Sequence, residues 1–266
     1  MRNKARFIWT VVLIGVLGLS TLSLAATSAL TGREIIEKVD AAVVADDATS
    51  LMTMTLTNDR GESLVRGMWS WKQGTAKTAL VFVEPEDVKG TAFLNVQGND
   101  DANDEMWLYL PSLELTKHID SDSKSQNFMG SDFTYDDMGD RNIDDYDYTL
   151  LREEIYDGQH VLVVEGIAIN PQEASYSKLI SWIRDDIWMP VQVEYYDLRG
   201  DLEKVQTNSR IEEIDGYWAV TKMEMENIQT NHSTIMETTH TELNTGIPAE
   251  VFTSKELPNL LSRVTQ

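Results

Sequence analysis

Residues 128–138 read FMGSDFTYDDM and concentrate large apolar side chains in a segment without a regular period. We expect one short helical turn here, capped by Ser131 or Asp132 and ended by Gly139 in the left-handed conformation. A loop that exposed so much aromatic surface would be unfavourable. The segment is therefore either a loop anchored by its own aromatic residues or a lid over an apolar cavity. The large apolar or aromatic residues are Phe128, Met129, Phe133, Tyr135 and Met138.

The chain on both sides of this loop reads as β-strands. Met52, Met54 and Leu56 alternate with threonines, which is the period of a half-buried strand. The next strand carries Trp69 and Trp71 on one face. Further strands are predicted at 78–84, 91–97, 105–110, 113–119, 146–156, 160–168, 178–184, 191–197, 204–214, 217–228 and 233–243.

Short connections join many of these strands. Turn-forming pairs occur at Asp157-Gly158, Arg199-Gly200 and Asp215-Gly216, so consecutive strands form an antiparallel meander. About a dozen strands in one sheet must curl, close or split, because open sheets rarely grow so wide while flat. Helices are predicted only at the N-terminus, in the central loop and after Pro248. Thr31 begins the first of these with a capping box, and its apolar stripe runs to about residue 46.

A curled sheet with few helices has a concave face that a helix, a ligand or both must fill. Methionine and tryptophan side chains suit the lining of an adaptable apolar cavity. They are equally ordinary in a protein core, so both interpretations stand. With the loop residues, the candidate lining residues are Met52, Met54, Trp69, Trp71, Met223 and Met225.

The N-terminus predicts export. Arg2, Lys4 and Arg6 precede an uncharged apolar run, and Ser23-Leu24-Ala25 is typical of a signal peptidase site. We expect residues 1–25 to be a cleaved signal peptide and 26–266 to be one domain; the alternative is a retained membrane anchor. Cleavage would remove three positive charges and take the net charge from −22 to −25. So acidic a chain repels nucleic acid and anionic lipid surfaces, which favours handover through a protein partner.

The residues that enzymes and metal sites require are sparse in this chain. It has no cysteine, and its four histidines are dispersed without a HExxH pair. Neither a G-x-S-x-G elbow nor a glycine-rich phosphate loop occurs. We expect a protein without catalytic residues, metal ligands or cofactors.

Five motifs occur along the chain: the 128–138 segment, MWLYLP at 106–111, EPEDVKGT at 84–91, WMP at 188–190, and Ile247-Pro248 followed by Phe252. Together they resemble the outer-membrane lipoprotein-sorting protein family, whose fold is LolA-like. The resemblance covers the chain from about Thr31 to its end. It implies a mainly β protein, in which a curled antiparallel sheet forms an incomplete barrel, closed by a few helices around an apolar cavity.

The resemblance implies two functions. The first is a periplasmic carrier that shields an acyl chain, a lipoprotein or another lipid. Such a carrier would work with an inner-membrane RND-type exporter and an outer-membrane acceptor. The second is an accessory docking subunit of such an exporter, with its interior filled by side chains and no lipid of its own. The sequence does not identify the cargo.

Overall fold

The computed structural model describes residues 30–42, 44–98, 104–139 and 141–264. The signal peptide predicted at residues 1–25 lies outside these ranges. Within the described residues, thirteen strands form one antiparallel sheet in the order β6-β5-β4-β3-β2-β1-β13-β12-β11-β10-β9-β8-β7. The first and last strands are therefore neighbours at the centre of the sheet, and β6 and β7 are its two edges.

The strands have the following bounds: β1 Asp47–Thr57, β2 Ser63–Gln73, β3 Lys77–Glu84, β4 Ala92–Val96, β5 Glu105–Leu110, β6 Leu115–Ile119, β7 Tyr146–Tyr156, β8 Gln159–Ala168, β9 Lys178–Arg184, β10 Met189–Tyr196, β11 Leu202–Ile214, β12 Tyr217–Asn227 and β13 His232–Leu243. The helices are α1 Gly32–Asp40 and α2 Leu260–Val264, with short 3₁₀ turns between strands and near the C-terminus.

One face of the sheet encloses the main hydrophobic core. Apolar side chains from β1 to β10, β12 and β13 meet in a single buried cluster, so the sheet curls around it. We call this the concave face. Because the edge strands β6 and β7 do not pair with each other, the sheet is not closed. The predicted incomplete antiparallel barrel is confirmed.

The two edges of the sheet are joined by the segment between β6 and β7. The segment contains four 3₁₀ turns, at Ser121–Ser123, Phe128–Gly130, Asp136–Met138 and Ile143–Asp145. Its aromatic residues belong to the cluster on the concave face. The chain therefore passes from one edge to the other through the inside of the half-barrel.

Helix α1 covers another part of the concave face. Ile35 is fully buried against Leu162 and Val164 of β8 and Ile183 of β9. The capping box predicted at Thr31 is present, with the Thr31 side chain accepting from Glu34 N. The helix ends at Asp40 rather than near residue 46, because the chain must turn there to enter β1.

The C-terminal segment covers the opposite, convex face. Val251, Phe252, Leu257 and Leu260 are buried there against a cluster that includes Trp71 of β2. Asp47 anchors the start of this segment, since its carboxylate accepts from the backbone N–H groups of residues 245, 246 and 247. Among the described residues, no helix is long and apolar enough to cross a membrane.

Three further local predictions are wrong. The strand predicted from residue 113 begins at Leu115, because Pro111–Leu113 form a 3₁₀ turn and Glu114 is left-handed, with φ 47°. Gly139 is not left-handed, since its φ is −98°. Neither Ser131 nor Asp132 begins a helical turn, because the two turns in that segment begin after Asn127 and Tyr135. Ser131 instead ends the first turn, where its N–H and hydroxyl donate to Phe128 O.

Candidate functional site

Residues 128–138 fill the interior of the half-barrel, and we call them the plug. Phe128 is fully buried, and its ring centroid lies 5.3 Å from that of Phe93 and 6.1 Å from that of Phe82. Tyr135 stacks edge-on against Phe128 at 5.6 Å, and Phe133 is buried with them. Aromatic pairs at these separations add to the stability gained from burial alone. The plug therefore occupies the volume that the curled sheet encloses.

The plug holds its shape through its own backbone. Phe128 N donates to Phe133 O at 2.7 Å, and Asn127 forms a β-bridge with Thr134. Between them the chain reverses at Met129 and Gly130, whose φ angles are 50° and 76°. Glycine adopts a positive φ without strain, which suits Gly130 to the reversal. The plug is thus a compact unit that is not a strand of the sheet.

Polar groups on the central strands fix the tip of the plug. The Arg66 guanidinium donates to Met129 O at 2.5 Å and lies 5.9 Å from the Phe82 ring centroid. On β13, Thr234 donates its hydroxyl to the Asp132 carboxylate at 2.7 Å and accepts from Asp132 N at 3.0 Å. These contacts attach the plug to β2 and β13.

A buried ion pair fixes the base of the plug. The Lys204 ammonium group, on β11, lies 3.1 Å from Asp137 Oδ2. It also donates to Asp132 O at 2.9 Å and to the Tyr176 hydroxyl at 2.5 Å. The same carboxylate oxygen accepts from Tyr176 OH at 2.8 Å and from Thr134 N at 2.9 Å. The lysine and aspartate side chains are only 1% and 3% exposed, so water screens this pair very little.

The charges around Asp137 keep it ionised in the interior. Burial alone would raise the pKa of this carboxyl, but the positive charges of Lys204 and Arg141 and two hydrogen bonds hold it below its ordinary value. Burial raises the pKa of Tyr176 well above its ordinary value, and the Asp137 charge adds to the effect. Tyr176 is therefore a hydrogen-bond donor at any physiological pH. Asp132 behaves differently, because burial raises its pKa despite the hydrogen bond from Thr234.

Three tyrosines surround the second cation at the base. The Arg141 guanidinium lies 5.6 to 5.9 Å from the ring centroids of Tyr146, Tyr176 and Tyr195. Its nearest charged partner is Asp137, at 3.5 Å. Arginine over tyrosine faces gains cation–π stabilisation, and the Arg141 side chain is 26% exposed. The base of the plug is thus a polar island within an apolar core.

The predicted lining residues divide between the two faces. Phe128, Phe133, Tyr135, Met54 and Met225 meet in the buried concave cluster. The residues packed against its rim are Met52, Met129, Met138 and Met223. Trp69 and Trp71 do not join them, since they pack on the convex face with the C-terminal segment. Their odd positions on β2 point away from the concave residue Met68, as alternation along a strand requires.

Two small clefts reach the surface near these elements. One, of about 220 Å³, lies at the plug tip between the β1–β2 and β12–β13 turns. Its lining includes Gly130, Asp132, Leu56, Leu64 and His232. The other, of about 170 Å³, lies beside α1 and is lined by Ile35, Leu162 and Trp188 among others. Both volumes are below the roughly 300 Å³ at which small-molecule pockets usually begin.

No group of acidic, histidine or cysteine side chains in the described residues is arranged to hold a metal ion. Three of the histidines pair with carboxylates on the surface: His118 with Glu105, His160 with Asp185, and His240 with Glu242. The arrangement can shield apolar groups and hold a charge in the interior.

Sequence reasoning missed Lys204, Tyr176 and Arg66. Lys204 lies in a polar stretch of β11 that reads as a solvated strand, and its partner Asp137 is 67 residues away. No local pattern identifies such a lysine as buried. The alternation of polar and apolar residues in β2 is a weak signal for Arg66, since it places that residue on the same face as Met68.

The chain is similar to several known proteins. The model of a family described as "Uncharacterized protein" matches residues 74–259. A solved structure of a putative outer membrane lipoprotein-sorting protein domain from Vibrio parahaemolyticus is 35% identical, with a TM-score of 0.79. The alignment covers 85% of this chain and 98% of that one.

Two further solved structures share the architecture. A DUF1329 family protein from Desulfovibrio piger is 29% identical with a TM-score of 0.80, over 85% of this chain and 97% of that one. A LolA superfamily protein from Nitrosomonas europaea is 21% identical with a TM-score of 0.67, over 85% of this chain and 98% of that one. The last of these comparisons bears on the fold alone. No protein with a curated description matches the chain.

Proposed function

Since this chain belongs to the LolA-like outer-membrane lipoprotein-sorting protein family, we propose that it is a periplasmic carrier for an acyl chain, a lipoprotein or another lipid. In this proposal the signal peptide at residues 1–25 directs export. The carrier receives its cargo with the help of an inner-membrane RND-type exporter and delivers it toward an outer-membrane acceptor. Its role is non-catalytic and consists of shielding the cargo from water.

The observation that carries the proposal is the plug. The half-barrel encloses an apolar interior, and the segment that fills it is a connection between two free sheet edges rather than a strand. Withdrawing the plug would leave the sheet hydrogen bonds intact. The apolar side chains of the strands that contact Phe128 in the closed protein would then be open to an acyl chain.

The energies permit such an exchange. Exposing the side chains of Phe128, Phe133 and Tyr135 costs about 1.5–3 kcal/mol each, or roughly 5–9 kcal/mol together. An acyl chain of about sixteen carbons gains roughly 12 kcal/mol, at about 0.8 kcal/mol per buried methylene. A long chain therefore offsets the exposure of these three side chains, whereas a short one does not. The cleft at Gly130 and Asp132 is the proposed entrance.

A direct test is native mass spectrometry of the protein taken from bacterial envelopes. We expect a population heavier than the protein alone by the mass of a lipid. If envelope protein and protein incubated with lipid both carry only the apo mass, the carrier proposal is wrong.

A second test locks the plug in place. The chain has no cysteine, so cysteines introduced as Asp132→Cys and Thr234→Cys have no other thiol in the chain with which to pair. The two native side chains are in contact, with Thr234 Oγ1 2.7 Å from Asp132 Oδ2. We expect the oxidised variant to lose lipid binding and the reduced variant to recover it. The matched control is a pair at Asp147→Cys and Ile167→Cys, which joins neighbouring strands β7 and β8 and leaves the plug free.

One observation favours the accessory role instead. The interior is filled by side chains, and the clefts at the plug tip and beside α1 are small. A docking subunit of an exporter needs no cavity. Lipid-free protein that still binds the exporter, whether the plug is locked or free, would support this second function.

A further inference from the structure

Lys204 carries a positive charge inside an apolar core, and most of its partners belong to the plug. The residue is 1% exposed. Of its three acceptors, Asp132 O and Asp137 Oδ2 lie on the plug, and only the Tyr176 hydroxyl does not. The ammonium also lies 4.9 Å and 5.7 Å from the ring centroids of Tyr176 and Tyr195. Neither ring belongs to the plug, since Tyr195 lies on β10 and Tyr176 lies in the loop that leads into β9.

Withdrawal of the plug, which is the premise taken from the proposed function, creates an electrostatic problem. Lys204 would keep one neutral acceptor and two aromatic faces in a space that an acyl chain makes dry. An unpaired buried charge is strongly destabilising, and a hydrocarbon chain offers it nothing. This cost would reduce the free energy that the protein gains when an acyl chain replaces the aromatic side chains of the plug.

We infer that the cargo lipid carries an anionic head group, a carboxylate or a phosphate, that takes the place of the Asp137 carboxylate at Lys204. In the closed protein, Asp137 is then an internal stand-in for that head group. One of its oxygens accepts from both Lys204 and Tyr176. An oxygen of a carboxylate or phosphate can accept the same two hydrogen bonds, since both donors remain when the plug leaves.

The overall charge of the protein makes this site selective. A chain with net charge −22 repels anions at its surface. An anionic lipid is therefore attracted electrostatically only to a cation that is shielded from the negative charges of the protein surface. Lys204 is such a cation, and it lies next to the apolar cluster that would hold the acyl chain.

The test compares lipids that share one chain and differ in the head group. Palmitate, hexadecyl phosphate and hexadecanol are titrated into the delipidated protein at about pH 8, where the carboxyl is ionised. We expect both anions to bind at least about tenfold more tightly than the alcohol, as a charge-assisted hydrogen bond implies. The tighter of the two anions identifies the head group. Inorganic phosphate and acetate, which lack a chain, should not compete.

Three variants locate the effect. Lys204→Met should lose the preference for anions and still bind hexadecanol, whereas Lys204→Arg should keep the preference. Asp137→Asn should strengthen binding of palmitate more than that of hexadecanol, because it removes the internal competitor. Lys178→Met is the matched control. It removes a lysine on β9 that is 30% exposed and pairs with Glu165 at 3.8 Å, and it should leave the preference unchanged.

The outcomes separate this inference from the proposed function. Equal binding of palmitate and hexadecanol would overturn the head-group site and leave the carrier function standing. A preference for anions that survives in Lys204→Met would overturn the assignment of the head-group site to Lys204. Competition by free phosphate would show that the anion bound at Lys204 need not be a lipid head group. If no lipid binds to the wild-type protein or to Asp137→Asn, the carrier function itself is wrong. The wild-type titration needs no variant, so a misfolded Lys204→Met protein cannot obscure the result.

Discussion

The Lys204 ammonium and the Asp137 carboxylate lie 3.1 Å apart in the interior of the half-barrel, with almost no access to solvent. They connect β11 to the segment that joins the two free edges of the sheet. A buried pair of this kind adds little to folding stability compared with apolar residues of the same shape. Removing either partner is nevertheless strongly destabilising, because the other charge is then buried without compensation. The pair therefore makes the closed position of the plug specific and allows no half-open state without a charge left over.

The first prediction concerns the coupling between these two residues. Lys204→Met should lower the free energy of unfolding by about 3–5 kcal/mol, because it leaves Asp137 buried with only Arg141 nearby. Asp137→Asn should also destabilise, and the double variant should be less destabilised than the two losses summed. Urea unfolding of the four proteins gives the coupling energy, which we expect to exceed about 1 kcal/mol. Additive losses would show that the pair does not act as a unit.

The second prediction is a pH dependence. The pKa of Asp137 in the folded protein is lower than its ordinary value of 3.8, since nearby positive charges outweigh burial. The unfolded chain therefore binds this proton more readily, and the stability from ionised Asp137 is present above about pH 4 and lost as the pH falls further. The stability difference between wild type and Asp137→Asn should stay constant from about pH 7 to 5 and shrink below about pH 4. A difference that grows in acid would contradict this sign.

Much of the fold could be predicted from local patterns. Residue type alone predicts the turns rich in aspartate and glycine, and Asp157, Gly158, Asp215 and Gly216 all have positive φ in the structure. Alternation along a strand shows which residues share a face. It does not show which face lies inside, because both faces of β2 are covered: Met68 by the plug side and Trp71 by the C-terminal segment.

The polar base of the plug could not be predicted for a different reason. Burial of Lys204 depends on partners from the plug and from the loop before β9, which only the complete fold brings together. A lysine in a strand with polar neighbours is ordinarily solvated. The apolar plug residues differ, because so many large apolar side chains in one short segment predict that Phe128 and its neighbours are packed against other residues. In the structure they fill the space that the curled sheet encloses.

The third prediction concerns the docking of α1. A Cβ atom at Gly32 would lie 2.6 Å from Thr149 N and 2.7 Å from Thr149 C, both backbone atoms of β7. Alanine would favour the helix itself by up to about 1 kcal/mol. The clash with backbone cannot be relieved by a side-chain rotation and should outweigh that gain, with a net loss of about 1–3 kcal/mol. Thermal unfolding of Gly32→Ala measures it. A higher midpoint would mean that α1 shifts on β7 without penalty.

The fourth prediction compares a buried phenylalanine on each face of the sheet. Phe128→Ala and Phe252→Ala should each lower the free energy of unfolding by about 3–5 kcal/mol, since both rings are buried in hydrophobic clusters. Only Phe128 belongs to the plug, so only its loss makes the plug easier to displace. Because the apparent affinity of a ligand is reduced when its binding-competent state is rare, Phe128→Ala should bind an acyl-chain ligand at least about tenfold more tightly than wild type. Titration of both variants with hexadecanol separates the effects, and Phe252→Ala should match wild type. Weaker binding by Phe128→Ala would mean that this ring contacts the acyl chain, as a lid residue would, rather than standing in its place.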